Sequence, residues 1–159
     1  MTIQNQEIKK GEIIAISMSE KKGVKKINVK QVELKENYGI VGDAHAGSSR
    51  QVSLLAEESI EKMRAKGLKV KSGDFAENIT TRGIDLLGLE MGAKLKIGLE
   101  AIIEITQFGK ECHTRCNIYY QAGDCVMPKE GVFARVLKGG VIKSGDKINV
   151  QSSSVNGER

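Results

Sequence analysis

The residues best equipped for chemistry lie between Lys110 and Cys125, a stretch holding all three cysteines of the chain and one of its two histidines. Cys112 is flanked by Lys110, His113 and Arg115. Each of these cations favours a thiolate over a thiol when it faces the sulfur. A thiolate attacks sulfur or carbon centres and binds soft metals, so this neighbourhood suits a nucleophile, a persulfide carrier or a metal ligand. The competing reading is an inert buried cysteine, since free Cys is among the most buried residue types. Cys116 is the second candidate thiol, and Cys125, inside a Gly-Asp-Cys turn, reads as structural. Cys112, His113, Cys116 and Cys125 also supply four zinc donors. The paired Cys-x2-Cys knuckles of common structural zinc sites are missing, however, and adjacent Cys112 and His113 would point to opposite faces of a strand, so zinc is disfavoured.

Two further constellations carry polar groups in apolar company. Gly39, Gly42 and Gly47 mark a sharply bending loop that ends at Arg50 and exposes backbone N–H groups to an anion. Within it Asp43 and His45 are candidate binding residues, and Arg50 can fork onto a phosphate or carboxylate. An ordinary turn, with Asp43 capping local backbone and His45 solvated, explains the same loop taken alone. In the segment from Gly73 to Thr81, Glu77 and Asn78 interrupt a strand-like run between Phe75 and Ile79. Such an acid and amide form either a hydrogen-bonded core network or the lining of a polar pocket. Arg135 poses the same question within the apolar run around Val132 and Val136.

The elements that must position these residues are mostly strands. Gly11 to Met18 is an apolar run. From Lys25 to Leu34 the alternation places Ile27, Val29, Val32 and Leu34 on buried faces, with a bulge expected near Gln31. Gln51 to Leu55 reads as a short strand. Lys94 to Ile97 and Ala101 to Gln107 form a hairpin around Gly98-Leu99-Glu100. Val132 to Leu137 and Val141 to Val150 follow, with turns at Gly139-Gly140 and Ser144-Gly145-Asp146. One helix is expected: Ala56, Ile60 and Met63 share a face, Glu57 and Glu58 complement the dipole in the first turn, and Gly67 suits the position after the end. Glu58 and Lys62 are spaced for an i,i+4 pair. The fold class is therefore mainly β, a β-rich α+β arrangement in which short strands and one main helix build a mixed closed or partly open barrel. The βαβ alternation of a dinucleotide fold is not seen, and neither is GxGxxG nor a P-loop.

At 159 residues one domain is expected, with residues 1–10 an N-terminal extension, 11–150 the domain and 151–159 a flexible polar tail. The net charge of +5 suits an anionic partner, but the basic residues are dispersed among acids. The densest group is Lys21, Lys22, Lys25, Lys26 and Lys30, read as the solvated face of a strand or hairpin. Three Phe and three Tyr supply a base-stacking platform poorly, so a nucleic-acid partner is disfavoured. No signal-peptide pattern and no run of ~18 apolar residues appears, so a cytoplasmic protein without a membrane partner is expected. Three cysteines in a reducing compartment point to thiol or metal chemistry rather than a disulfide framework.

Taken in order, the segments GIVGDAHAG, RQVSLL, GDFAENITTRGIDL, LGLEMGAKLKIG, ITQFGKECHTRC and GVFARVLKGGVIKSGDKI resemble the MOSC domain, named for the C-terminal domain of molybdenum-cofactor sulfurases. The similarity covers roughly residues 11 to 150 and resembles a stand-alone, bacterial-type member. It implies a barrel of the pyruvate-kinase type and association with molybdenum cofactor (molybdopterin), a pterin dithiolene carrying a phosphate. The family's proposed sulfur carrier or metal ligand, a cysteine after the ITQ-type strand, matches Cys112, which is thereby implied as a molybdenum ligand. Many relatives have Pro before this cysteine, where this chain has Glu111, and the neighbouring Cys116 competes for the role.

The resemblance implies a protein that binds the cofactor or a related pterin and carries or transfers sulfur through a cysteine. Arg50, Arg115 and Arg135, with Lys110, would hold anionic groups, while Asp43, His45 and Asn78 would bond or position the ligand. A desulfurase or other sulfur donor is the implied partner, with molybdoenzymes as recipients. No lysine sits in a recognisable pyridoxal-phosphate context, so that cofactor is not expected. The alternatives are a non-enzymatic carrier or insertion factor, and a zinc-stabilised structural or interaction module.

Overall fold

The computed structural model describes residues 10–21, 25–109 and 130–151. Its strands are β1 (Lys10–Met18), β2 (Ile27–Val29), β3 (Gln31–Lys35), β4 (Gly39–Ile40), β5 (Val52–Ala56), β6 (Ile79–Arg82), β7 (Lys94–Ile97), β8 (Ala101–Phe108), β9 (Val132–Lys138), β10 (Gly140–Lys143) and β11 (Lys147–Gln151). One α-helix, α1 (Glu57–Ala65), and a 3₁₀ turn at Leu86–Gly88 complete the described elements.

The strands run in the order β11-β7-β8-β9-β5-β6-β1, and β11 pairs again with β1, which closes a seven-stranded barrel. Closure leaves these strands without a free edge. The barrel is mixed because β5 and β6 are parallel while its other pairs are antiparallel. The chain between β5 and β6 includes α1, the crossover that a parallel neighbour requires. This single βαβ unit is not repeated among the described residues.

Period-two alternation fills the interior. Leu95 and Ile97, Ala101, Ile103 and Ile105, and Val132, Ala134 and Val136 all point into one core, reached from the other wall by Ile13, Ile16 and Ile79. Strand β5 is buried on both faces: Val52 and Leu54 enter the barrel, and Leu55 packs outside it with Ile60, Met63, Phe75 and Phe133. Of the face expected from Ala56, Ile60 and Met63, the last two cover the outer wall at β5, while Ala56 ends β5 and packs on the barrel core. The Glu58 carboxylate accepts from Gly83 N, and Lys62 pairs with Glu130 at 2.8 Å instead of with Glu58. Gly67 has φ +94, as the end of a helix favours.

Gly11 lies where β1 joins β11, with Ile148 as its cross-strand partner. A Cβ at Gly11 would come within 2.8 Å of the Arg82 carbonyl, so the close approach of β1 to the end of β6 at this point demands glycine.

The expected Lys25–Leu34 strand divides at Lys30. Strand β2 pairs with β1, while β3 joins β10 and β4 in a separate three-stranded sheet. Val32 and Leu34 are buried as expected, but Ile27 is 71% exposed and Lys26 only 2%. The expected phase thus fails at Lys26 and Ile27, whereas Val29 is partly buried against the barrel core. Lys26 faces polar partners in the interior and Ile27 faces outward, because a buried carboxylate, not an apolar core, lies beneath this part of the chain.

Candidate functional site

The loop after β4 is a succession of tight turns. Asp43 N donates to the Ile40 carbonyl, Ala46 N to Asp43 and Ser48 N to His45. Gly42 and Gly47, at φ +93 and +81, provide the left-handed conformations these turns need. Gly47 N donates to the Tyr38 carbonyl and Ala44 N to that of Ser19, which fasten the loop to the strands on either side.

Asp43 organises the first half of this loop. Its Oδ1 accepts from Ser19 N at 3.1 Å and from Lys26 Nζ at 2.9 Å, and its Oδ2 accepts from His45 N at 3.0 Å. The side chains of Lys26 and Asp43 are 1% and 0% exposed. Burial by itself would raise the Asp43 carboxyl, but the hydrogen bonds from the His45 backbone N–H, Lys26 Nζ and the Ser19 backbone N–H override it and hold the group well below the usual carboxylate range. The expected local capping and a buried ion pair are thus one structure. Lys26 Nζ also donates to Ser19 Oγ at 3.2 Å and lies 3.4 Å from His45 Nδ1. The His45 ring remains a quarter exposed.

Gly73 holds Lys26 from behind. Lys26 N donates to the Gly73 carbonyl at 2.9 Å, and a Cβ at Gly73 would fall 2.5 Å from the Lys26 carbonyl oxygen. The Gly73 N–H in turn donates to Glu77 Oε2 at 2.8 Å, which also accepts from Thr80 Oγ1. Burial raises the Glu77 carboxyl above its ordinary value, against the pull of these bonds. Its Oε1 has no partner among the described residues.

Glu77 and Asn78 form the core network that was one of the two readings of their segment, and both are 0% exposed. Asn78 Oδ1 accepts from Ser53 N and Ser53 Oγ, while Nδ2 donates to the Ser17 carbonyl. The amide thereby ties β5 and β6 to the end of β1, two residues before Ser19. Its contacts do not join it directly to the Lys26–Asp43–His45 group.

Arg50 closes the loop at its far end. Its Nε donates to Gln107 Oε1 at 3.3 Å, and its guanidinium lies over the Phe133 ring, 5.4 Å from the centroid. Gln107 Nε2 donates to the Gly109 carbonyl, and Gly109 N donates to that of Gly131. The two ends of the segment carrying the cysteines are therefore clasped together beside Arg50. Arg135 stands apart, half exposed on the outer face of β9, with its Nε 2.6 Å from Glu104 Oε1 on the neighbouring strand.

Lys110, Cys112, Arg115 and Cys116 lie outside the described residues, as do His113 and Cys125. Among the described residues no three His, Cys, Asp or Glu side chains converge as a metal site. No described helix is long and apolar enough to cross a membrane.

Lys26 is the site residue that sequence reasoning missed. Five lysines between Lys21 and Lys30 suggested a solvated face, and only the path of the chain shows that one of them turns inward onto Asp43. An acid two residues before a histidine in a glycine-rich loop was a signal that a cation would be needed, but not which one.

The fold is shared with solved structures of low sequence identity. The YUAD protein from Bacillus subtilis superposes with a TM-score of 0.77 at 16% identity, covering 91% of this chain and 97% of that one. YiiM from Geobacillus stearothermophilus gives 0.68 at 19% identity, over 91% of this chain and 77% of its own. YiiM from Escherichia coli gives 0.63 at 18%, over 91% and 72%. No curated protein matches the chain. The MOSC domain matches residues 41–149, from the Asp43 loop through the last barrel strand, and the chain belongs to the MOSC domain family.

Proposed function

We propose that this protein binds molybdenum cofactor or a related pterin beside the Gly39–Arg50 loop and carries sulfur on Cys112. The supporting observation is the link from Arg50 through Gln107 to Gly109, which sets a guanidinium at the root of the segment that contains Cys112, Arg115 and Cys116. Membership of the MOSC family, which is linked to molybdenum-cofactor-related proteins, supports the choice of cofactor.

The residues present fit such a ligand. Arg50 uses Nε on Gln107, and its terminal nitrogens have no partner among the described residues, leaving a planar fork for a phosphate or carboxylate. His45 offers a partly exposed ring edge in the middle of the same loop. Asp43 holds the His45 backbone, and Asn78 ties together the ends of β1, β5 and β6. Lys110 and Arg115 would add cations near the thiols, and Arg135 would serve an anionic group only by leaving Glu104. When bound, the cofactor would supply a metal centre with exchangeable sulfur and oxygen ligands, and the Cys112 thiolate is the protein donor suited to ligate it.

Sulfur loading needs no redox partner. The Cys112 thiolate attacks the outer sulfur of a donor persulfide, a new S–S bond forms, the donor's S–S bond breaks and the donor leaves as a thiolate. The donor would be a desulfurase or another persulfide protein, and the recipient a molybdoenzyme.

Mass spectrometry after incubation with a cysteine desulfurase and cysteine tests this reading. One sulfur added at Cys112, abolished in Cys112→Ser and retained in Cys116→Ser, is expected. No added sulfur together with no cofactor binding overturns it. Retained binding without added sulfur would instead support a carrier that only binds.

A further inference from the structure

Among the described residues Lys26 is the only lysine or arginine that is buried. Its ammonium has three hydrogens and three acceptors at hand: Asp43 Oδ1 at 2.9 Å, Ser19 Oγ at 3.2 Å and His45 Nδ1 at 3.4 Å. The third contact carries information, because an ammonium only donates. His45 Nδ1 can accept from it only if the ring hydrogen lies on the other nitrogen, Nε2.

The rival arrangement puts the hydrogen on Nδ1 and directs it at Asp43. Asp43 Oδ2 is 3.6 Å away, beyond hydrogen-bond reach, and already accepts from the His45 backbone N–H at 3.0 Å. A hydrogen on Nδ1 would also face the Lys26 ammonium. Lys26 is thus the nearer partner of Nδ1 and the one within hydrogen-bond reach, which favours the hydrogen on Nε2.

We infer that Lys26 is a positioning residue that holds His45 with its hydrogen on Nε2, so that His45 meets a ligand as a hydrogen-bond donor to oxygen. Metal ligation through Nε2 would require moving that hydrogen to Nδ1, against Lys26, so His45 is not a metal ligand here. The acceptor is an oxygen of an oxyanion, of the kind found both on a phosphate group and on an oxo-metal centre. The ligand's identity rests on the function proposed above, whereas the tautomer does not.

Long-range 1H–15N correlation spectra of the full chain with 15N-labelled histidine read the tautomer directly, with His113→Gln to assign the two rings. A hydrogen on Nε2 of His45 in the wild-type protein is expected, and a hydrogen on Nδ1 overturns the inference. In folded Lys26→Met the two tautomers should both be populated, and an unchanged Nε2–H overturns the role of Lys26. If that variant does not fold, the 15N shift of His45 Nδ1 in the wild-type protein decides, and a value typical of a nitrogen that accepts no hydrogen bond overturns the role of Lys26.

Titration with inorganic phosphate, and separately with molybdate, then tests the donor role. A shift of the His45 Nε2–H signal with either anion, weakened about tenfold or more in Lys26→Met, supports it. Response to one anion alone tells the phosphate end of a ligand from its oxo-metal end, and response to neither overturns donation to oxygen. Failure of Cys112 to take up sulfur together with failure to bind the cofactor would remove the proposed function and leave the tautomer standing.

Discussion

Lys26 Nζ lies 2.9 Å from Asp43 Oδ1 with 1% and 0% of the two side chains exposed, so a charge pair sits where hydrophobic patterning had placed a solvated lysine. Taking either partner away leaves the other charge buried and unpaired, which is more damaging than losing an exposed ion pair. Lys26→Met should lower stability by about 3–5 kcal/mol. A double-mutant cycle with Asp43→Asn should give a coupling of about 0.5–3 kcal/mol, as contacting residues do. Urea denaturation of the four proteins measures both, and additive effects would show that the pair contributes nothing.

The pH dependence of stability should carry two opposed signatures. The Asp43 carboxyl is depressed in the folded state from an ordinary 3.8. Its contribution is therefore fully present above 3.8 and lost as pH falls below that value toward the folded pKa. Glu77 is raised by burial from 4.5, so the folded state binds its proton more tightly than the unfolded chain does. Stability should accordingly rise as pH falls toward 4.5 through the folded pKa of Glu77, then decline below 3.8. Glu77→Gln should abolish the rise and spare the acid-side decline, as thermal unfolding across pH would record.

Exposure separates the two interior-run polar residues. Asn78→Ala removes bonds to Ser53 and Ser17 in a fully buried junction and should cost about 1–3 kcal/mol or more through the groups it strands. Arg135→Ala breaks an ion pair half open to solvent and should change stability by less than about 1 kcal/mol. Equal effects in denaturant melts would contradict this assignment of the two residues.

Anion binding at the loop should depend on the shape of Arg50 as well as its charge. Arg50→Lys keeps a cation but loses the Nε donor to Gln107 and the planar fork over Phe133. Phosphate affinity should fall about tenfold or more, with fold stability altered by less than about 1 kcal/mol. Calorimetric titration checks the first and a thermal melt the second. Wild-type affinity in Arg50→Lys would remove Arg50 from the binding site.

Much of the barrel was legible in the chain itself. The alternation at Leu95 and Ile97, at Ala101, Ile103 and Ile105, and at Val132, Ala134 and Val136 sets which face is buried, since a one-residue slip would expose every one of these side chains. The spacing of Ile60 and Met63 likewise determined a helix with one covered side. The polar loop ending at Arg50 and the cysteine segment were visible as chemistry, and their ordered motifs as MOSC. What local pattern does not contain is which distant groups meet. Closure of β1 onto β11, the inward turn of Lys26 onto Asp43, and the clasp from Arg50 through Gln107 to Gly109 each join residues far apart in sequence. Near Lys26 the local rule points the wrong way, because burying a lysine is unfavourable until the fold brings a carboxylate against it. The cysteines carry the first sign of chemistry, but only the tertiary structure decided that a buried lysine and a partly exposed histidine would stand together against Asp43.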